Sequence, residues 1–172
     1  MSTTLKLGWY VLYVRSCQEK KVHQLLQENQ FESFLPMIKT VRQWSDRKKT
    51  IYKPFFPSYV FVNIRSPKEF HNVLNVKEAC AYIRFGKEYA RVTDKEIDQI
   101  MLLVGDKNII DIETSVVFPK VGEIKKINYG SLNGLDCEII EANNCNKIIV
   151  RIDSLQQNII ATIPLHSLIL AS

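Results

Sequence analysis

The chain is short of the residues from which metal centres, disulfide frameworks and phosphate-cradling loops are built. Its 172 residues include 4 cysteines and 3 histidines. Cys17, Cys80, Cys137 and Cys145 form no C-x-x-C pair, and His23, His71 and His166 are scattered. That spacing argues against a structural zinc site, and a chain of this size needs no disulfide framework. The cysteines read as small apolar fillers. Glycine is sparse as well, with 6 residues and no glycine-rich phosphate loop, and no nucleophile sits in a motif with a base. The expectation is a protein that is not an enzyme and that takes no metal or cofactor. No stretch approaches membrane-spanning length, and the N-terminus lacks a basic segment followed by a long apolar run. A cytoplasmic location with no membrane partner is expected.

What is present is an ordinary globular balance. Hydrophobic residues make up 46% and charged residues 24%, which does not indicate disorder. The length allows one medium domain or two small ones. A formal net charge of +5 and a pI near 9.0 make a polyanionic partner plausible.

The most informative stretch is Lys53-Pro54-Phe55-Phe56-Pro57-Ser58-Tyr59-Val60-Phe61-Val62-Asn63-Ile64. Its prolines hold the chain extended, so pairing starts no earlier than Ser58. From there it reads as a strand. Alternation puts Tyr59, Phe61 and Asn63 on one side and Val60, Val62 and Ile64 on the other. The aliphatic side suffices for a core. The aromatic side is either further core or a surface kept for a partner, and general burial tendencies favour core.

Upstream, Trp9 to Val14 is unbroken apolar sequence, as expected of a central strand buried on both faces, with Trp9 as a core anchor. Ser16-Cys17-Gln18-Glu19 fits a capping box opening a helix that carries Val22, Leu25 and Leu26 and ends near Asn29. Phe31 to Ile38 reads as a second strand with Pro36 at an edge or bend. Lys39 to Lys53 holds Lys39, Arg42, Arg47, Lys48, Lys49 and Lys53 against the single acid Asp46, with a hairpin tip at Trp44-Ser45-Asp46-Arg47. It is either a hand for a phosphate backbone or a solvated loop; both readings stand.

After the aromatic strand, Ser66-Pro67-Lys68-Glu69 predicts a helix with Phe70, Val73 and Leu74 on its apolar face. Ala81 to Phe85 returns to strand, Gly86 turns, and Tyr89 to Val92 pairs beside it. Thr93-Asp94-Lys95-Glu96 opens a third helix with Ile97, Ile100, Met101 and Val104 on one face and a stop at Gly105. Residues 106–118 lack a helical period and read as a linker. Beyond it, short strands at Val121–Ile127, Leu135–Ala142, Lys147–Ile152 and Ile159–Pro164, with turns at Gly130–Gly134 and Asn143–Asn146, predict a small β-barrel. The expected organisation is an α+β domain over 1–105, an antiparallel sheet with flanking helices. A linker over 106–118 and a small all-β domain over 119–172 follow.

These residues resemble a known family. Trp9-Tyr10-Val11, Phe56-Pro57-Ser58-Tyr59-Val60-Phe61-Val62 and Ile83-Arg84-Phe85-Gly86 are similar to the N-terminal (NGN) domain of NusG-type transcription elongation factors. Val121-Gly122-Glu123 and Gly130-Ser131-Leu132-Asn133-Gly134-Leu135 are similar to the KOW motif of its SH3-like barrel. The order is the family's over nearly the whole chain. Within it, the basic segment, Leu35-Pro36-Met37-Ile38 and Ile83-Arg84-Phe85-Gly86 look like the specialised antiterminator paralogues typified by RfaH and UpxY. Two positions depart: Glu69-Phe70-His71-Asn72 stands where those members carry a histidine-threonine-threonine element for the polymerase gate loop, and Cys17 stands at a frequent glycine.

The resemblance implies docking on the clamp helices of the RNA polymerase largest subunit, holding the clamp closed and suppressing pausing or termination. By position it implies a polymerase-binding set of Val11, Tyr13, Phe56, Pro57, Tyr59, Phe61, Phe85 and Ile97, with Tyr13, Tyr59 and Phe61 as anchors. For DNA of the elongation complex, including the non-template strand, Arg15 and Lys21 match basic positions of the family. Lys20, Arg47, Lys48 and Lys49 are included on charge, and Lys77 on position. The KOW domain would meet the ribosome or a termination factor, and the protein would act as a monomer. The rival from another class is a freestanding RNA-binding or ribosome-associated KOW protein that stacks bases on exposed strand aromatics.

Overall fold

The computed structural model describes residues 4–107, 109, 111–115, 124–126, 132, 135–142 and 145–164. Contacts divide the chain into two compact units, Met1–Asp94 and Lys95–Ser172.

In the first unit β1, Gly8–Val14, lies inside the sheet. It pairs antiparallel with β5, Tyr59–Ile64, on one side, and with β6, Ala79–Tyr82, and the short β9, Arg91–Val92, on the other. β2, Glu32–Phe34, adds outside β5, for the order β2-β5-β1-β6. A strand flanked on both sides must bury both faces, and Trp9 to Leu12 are all buried. One face carries Tyr10, Leu12 and Val14 beside Val60, Val62 and Ile64. Onto it pack Val22 and Leu26 of α1, Glu19–Glu28, and Phe70 and Val73 of α2, Pro67–Val73. Each fully buried aliphatic here stabilises the unit by roughly 1.5–3 kcal/mol. The Tyr82 ring stacks on Phe70 with centroids 4.2 Å apart, and its hydroxyl donates to the Phe70 carbonyl at 2.8 Å. Burial raises the Tyr82 phenol pKa well above its ordinary value.

The two helix starts differ. At α2 the serine half of the capping box forms, with Ser66 Oγ accepting from the Glu69 amide at 3.2 Å, while Glu69 reaches one residue further back and accepts from the Arg65 amide at 2.8 Å. At α1 it does not. The N-cap is Gln18 with no side-chain cap bond, and Cys17 adopts a left-handed φ of 63° that swings Ser16 off the helix end. Glu19 turns instead to the Ser58 amide, which donates to its carboxylate at 2.8 Å.

Strand 31–38 of the sequence reading is split. β2 ends at Phe34, and after Leu35-Pro36 the chain leaves the main sheet for a two-stranded ribbon of β3, Met37–Gln43, and β4, Lys48–Pro54. Proline cannot donate to a ladder, so the sheet ends there. A second small ribbon, β7, Arg84–Phe85, with β8, Glu88–Tyr89, turns through Gly86 at φ 65°.

The second unit takes in nearly all of α3, Asp94–Gly105, which buries Ile97, Ile100 and Leu103. The predicted face needs correcting, since Met101 is 44% exposed. The strands are β10, Asp111–Ser115; β11, Ile124–Lys126; β12, Asp136–Ala142; β13, Cys145–Ile152; and β14, Gln157–Pro164. They form an antiparallel sheet in the order β10-β14-β13-β12-β11. The linker expectation therefore fails over 111–115, where β10 pairs with β14 from Asp111↔Thr162 to Ser115↔Asn158. Of the turn expected at 143–146, Cys145 and Asn146 belong to β13 instead, and residues 143 and 144 lie outside the described residues. Glu96 accepts from Ser154 through its amide at 3.2 Å and its hydroxyl at 2.8 Å, and Glu138 accepts two bonds from Arg151 at 3.0 and 3.3 Å. Burial, with Asp136 and Glu138 adding to it, pushes the Cys137 thiol up to about 12. The predicted turn with Gly130 and Gly134 and the Val121-Gly122-Glu123 opening of the predicted strand lie outside the described residues.

Candidate functional site

The face of the first sheet turned away from α1 and α2 carries the aromatic side of β5. Directly opposed residues of an antiparallel pair share a face. The register therefore sets Tyr13 beside Tyr59, Val11 beside Phe61 and Trp9 beside Asn63, with Phe34 on the other side of Phe61. The face is graded. At one end Tyr13 is 45% exposed and Tyr59 half-buried. In the middle Val11 and Phe61 are fully buried. The rings of Phe34 and Phe56 pack on Phe61 at 5.9 and 5.8 Å, and Phe55 packs on Phe56 at 4.9 Å.

This grading corrects the expected docking set. Phe61 is a buried ring packed against Phe34 and Phe56, not an open anchor; Val11 and Phe56 are likewise buried. Ile97 is buried on α3, in the second unit. The accessible members are Tyr13, Tyr59, Pro57, which is exposed, and Phe85, which is half-buried. Burial first, and then the Tyr13 phenol, pushes the Tyr59 phenol above its ordinary value, so its hydroxyl stays a protonated donor at neutral pH.

The turn before β5 has a defined shape. The Tyr59 amide donates to the Phe56 carbonyl at 3.1 Å, with Pro57 and a left-handed Ser58, φ 64°, between them. The Ser58 carbonyl in turn accepts from the Val14 amide at 2.9 Å.

The basic candidates fall into groups. Lys20, on the first turn of α1, donates to the Tyr52 carbonyl of β4 at 3.2 Å, which ties the helix to the ribbon. Lys21 is exposed beside it. Arg15 leaves β1 and pairs with Glu78 at 3.3 Å, next to Lys77. Lys77 also lines a shallow groove of about 380 Å³ with Leu25, Phe31, Val76 and three asparagines, Asn29, Asn72 and Asn75. Arg47, Lys48 and Lys49 stand at the far end of the ribbon. The turn there is closed by Trp44 N–H to the Arg47 carbonyl at 2.8 Å and Arg47 N–H to the Trp44 carbonyl at 3.3 Å.

Trp44, expected at the projecting hairpin tip, is 55% exposed. Sequence reasoning missed two further exposed apolar residues of the ribbon, Val41 at 59% and Tyr52 at 60%. The register places Lys39, Val41 and Gln43 on one face with Lys48, Thr50 and Tyr52, and Arg42 with Lys49 on the other. The signal was available, since period-2 alternation from a two-residue turn fixes both faces.

An antiparallel α+β unit with its helices on one sheet face and a basic ribbon leaving after the edge strand is an NGN-like fold. Residues 7–101 match the family described as transcription termination factor nusG, and the chain belongs to the NusG family. Among solved structures, one of domain interaction in Thermotoga maritima NusG shares the fold, with a TM-score of 0.50 and 22% identity over 93% of this chain and 98% of that one. The MjSpt4:Spt5 complex in conformation A has a TM-score of 0.35 and 11% identity, covering 95% of this chain and 98% of that one. Conformation B of the same complex has a TM-score of 0.35 and 13% identity, covering 95% and 97%.

Proposed function

We propose that this NusG-family protein is a cytoplasmic, monomeric elongation and antitermination factor of the specialised RfaH/UpxY kind. In this reading it docks on the clamp helices of the RNA polymerase largest subunit and holds the clamp closed over nucleic acid. It suppresses pausing or termination for particular operons, such as those for surface polysaccharide. The observation that carries the reading is the accessible Tyr13–Tyr59 pair on the sheet face away from the helices, next to exposed Pro57. Aromatic residues at an open sheet end suit a helical protein partner, because they bury large area at small entropic cost. Phe85, half-buried on the β7–β8 ribbon, is included on the resemblance alone, and Val11, Phe56 and Phe61 lie buried beneath the pair.

Arg15, Lys20, Lys21, Lys77 and the ribbon cations Arg47, Lys48 and Lys49 would follow DNA of the elongation complex. The second unit, as a KOW barrel, would meet the ribosome or a termination factor. No catalytic role is assigned to any residue.

Tyr13→Ala and Tyr59→Ala test this against the RNA-binding alternative. Each should cost about 2 kcal/mol of binding to an assembled elongation complex if it is a central contact. Weak binding to free nucleic acid should persist. Loss of binding to naked single strands, with elongation complexes still bound, would favour the RNA-binding reading.

A further inference from the structure

Glu19 is a carboxylate only 6% exposed, yet it is not used to cap its own helix. It reaches across 39 residues of sequence to accept the Ser58 amide at 2.8 Å. Ser58 is a non-glycine residue at φ 64°, where a Cβ crowds the backbone and glycine is preferred. Its carbonyl is also engaged, by the Val14 amide at 2.9 Å. Both polar groups of the Ser58 backbone are therefore held from outside the turn, one by a helix side chain and one by β1.

We propose that Glu19 is a positioning residue for the Pro57–Tyr59 ledge, holding Ser58 left-handed so that Pro57 stays outside and Tyr59 enters β5 opposite Tyr13. The turn has Pro57 at its second position and Ser58 at its third, and a positive φ at that third position is what this turn shape demands. Without an acceptor for its amide, Ser58 relaxes towards the extended region. The two-residue link between Phe56 and Tyr59 then changes direction, and the Tyr59 ring leaves its place beside Tyr13. A charge-assisted hydrogen bond is about twice as strong as a neutral one, which lets one side chain hold a conformation the residue itself disfavours. Glu19 also stands in the first turn of α1, where a negative charge is favoured by the helix dipole. Its effect on docking must therefore be separated from an effect on the helix.

This inference rests on the docking reading for its affinity readout, but its geometric readout does not. In the full-length protein, Glu19→Ala should speed exchange of the Ser58 amide and shift the Tyr13 and Tyr59 ring resonances, with Leu12 and Val62 amides unchanged. Binding to an assembled elongation complex should weaken about tenfold, the loss of one charge-assisted bond. Ser58→Gly in the Glu19→Ala background should restore both readouts, since glycine takes φ 64° without a Cβ penalty. Glu19→Gln, which keeps an acceptor, should lie between wild type and Glu19→Ala. If Glu19 merely supports α1, Ser58→Gly rescues neither readout, and the proposal is overturned. Ring resonances in Glu19→Ala identical to wild type overturn it as well. Rescued ring resonances with no polymerase binding by any variant, wild type included, would uphold the positioning role and reject the docking reading.

Discussion

Replacing Arg47, Lys48 and Lys49 together with glutamine tests whether the ribbon touches nucleic acid. None of Lys39, Arg42, Arg47, Lys48, Lys49 and Lys53 has a carboxylate partner among the described residues, and Arg42 faces Lys49 directly across the ribbon. Facing like charges destabilise a strand pair, so the arrangement costs stability unless an anion is met. Each phosphate contact steepens the salt dependence of log affinity by about 0.9 on duplex DNA and about 0.7 on a single strand. Lys48 and Lys49 lie on opposite faces, so one backbone meets Arg47 and one of the two, not all three. The slope should therefore flatten by about 1.8 for duplex or about 1.4 for a single strand. Between 50 and 200 mM salt this makes the wild-type affinity fall about twelvefold or about sevenfold further than the variant's. Fluorescence anisotropy of labelled protein on an assembled elongation complex, stepped through salt, reads the slope directly. The replaced side chains are exposed, so the fold should survive within about 0.5 kcal/mol. An unchanged slope refutes the reasoning and makes the ribbon a solvated surface.

The remaining predictions concern the fold beneath the site. Tyr82→Phe keeps the ring stacked on Phe70 but removes the hydroxyl bond to its carbonyl, and should lower stability by about 1 kcal/mol in urea melts; an unmoved midpoint would contradict the bond's role. Arg65, with help from Asn63, holds the Glu32 carboxyl below its ordinary value of 4.5. A lowered folded pKa gives stability that is complete above 4.5 and lost as pH falls through the lowered value. Arg65→Met should flatten that acid loss, and an unchanged acid profile would count against the pair. Cys137, pushed up to about 12 and buried, should resist iodoacetamide in the native protein while exposed Cys17 and Cys80 react. Mass spectrometry finding Cys137 alkylated first would overturn that placement.

Much of the first unit was legible because its strands carry strong local patterns. The apolar run 9–14 and the alternation from Tyr59 located both strands and the two faces of the second, while their pairing came from the structure. Pro36 marked the point where the sheet ends. What the pattern could not carry was depth. Alternation says that Tyr59 and Phe61 share a side, but the rings of Phe34, from another strand, and of Phe56, folded back across the Pro57 turn, pack on Phe61, which is buried while Tyr59 stays half-buried. The α1 capping box failed for a similar reason, since a hydrogen bond to Ser58 outcompeted the local cap. β10 was hidden because a half-buried edge strand with one isoleucine, Asp111–Ser115, reads like loop until a partner strand is in place. The basic ribbon was legible as a hairpin with Trp44 at its tip, and alternation counted back from that turn would have put Val41 and Tyr52 on one face, but their exposure came from the structure.

Crosslinking from position 59 tests the central proposal most directly. A photoreactive phenylalanine derivative in place of Tyr59 keeps an aromatic ring at the open end of the sheet. In an assembled elongation complex it should label the largest polymerase subunit at its clamp helices, and Tyr13→Ala in the same protein should reduce that product. Labelling of RNA alone, with no polymerase product, would contradict the account.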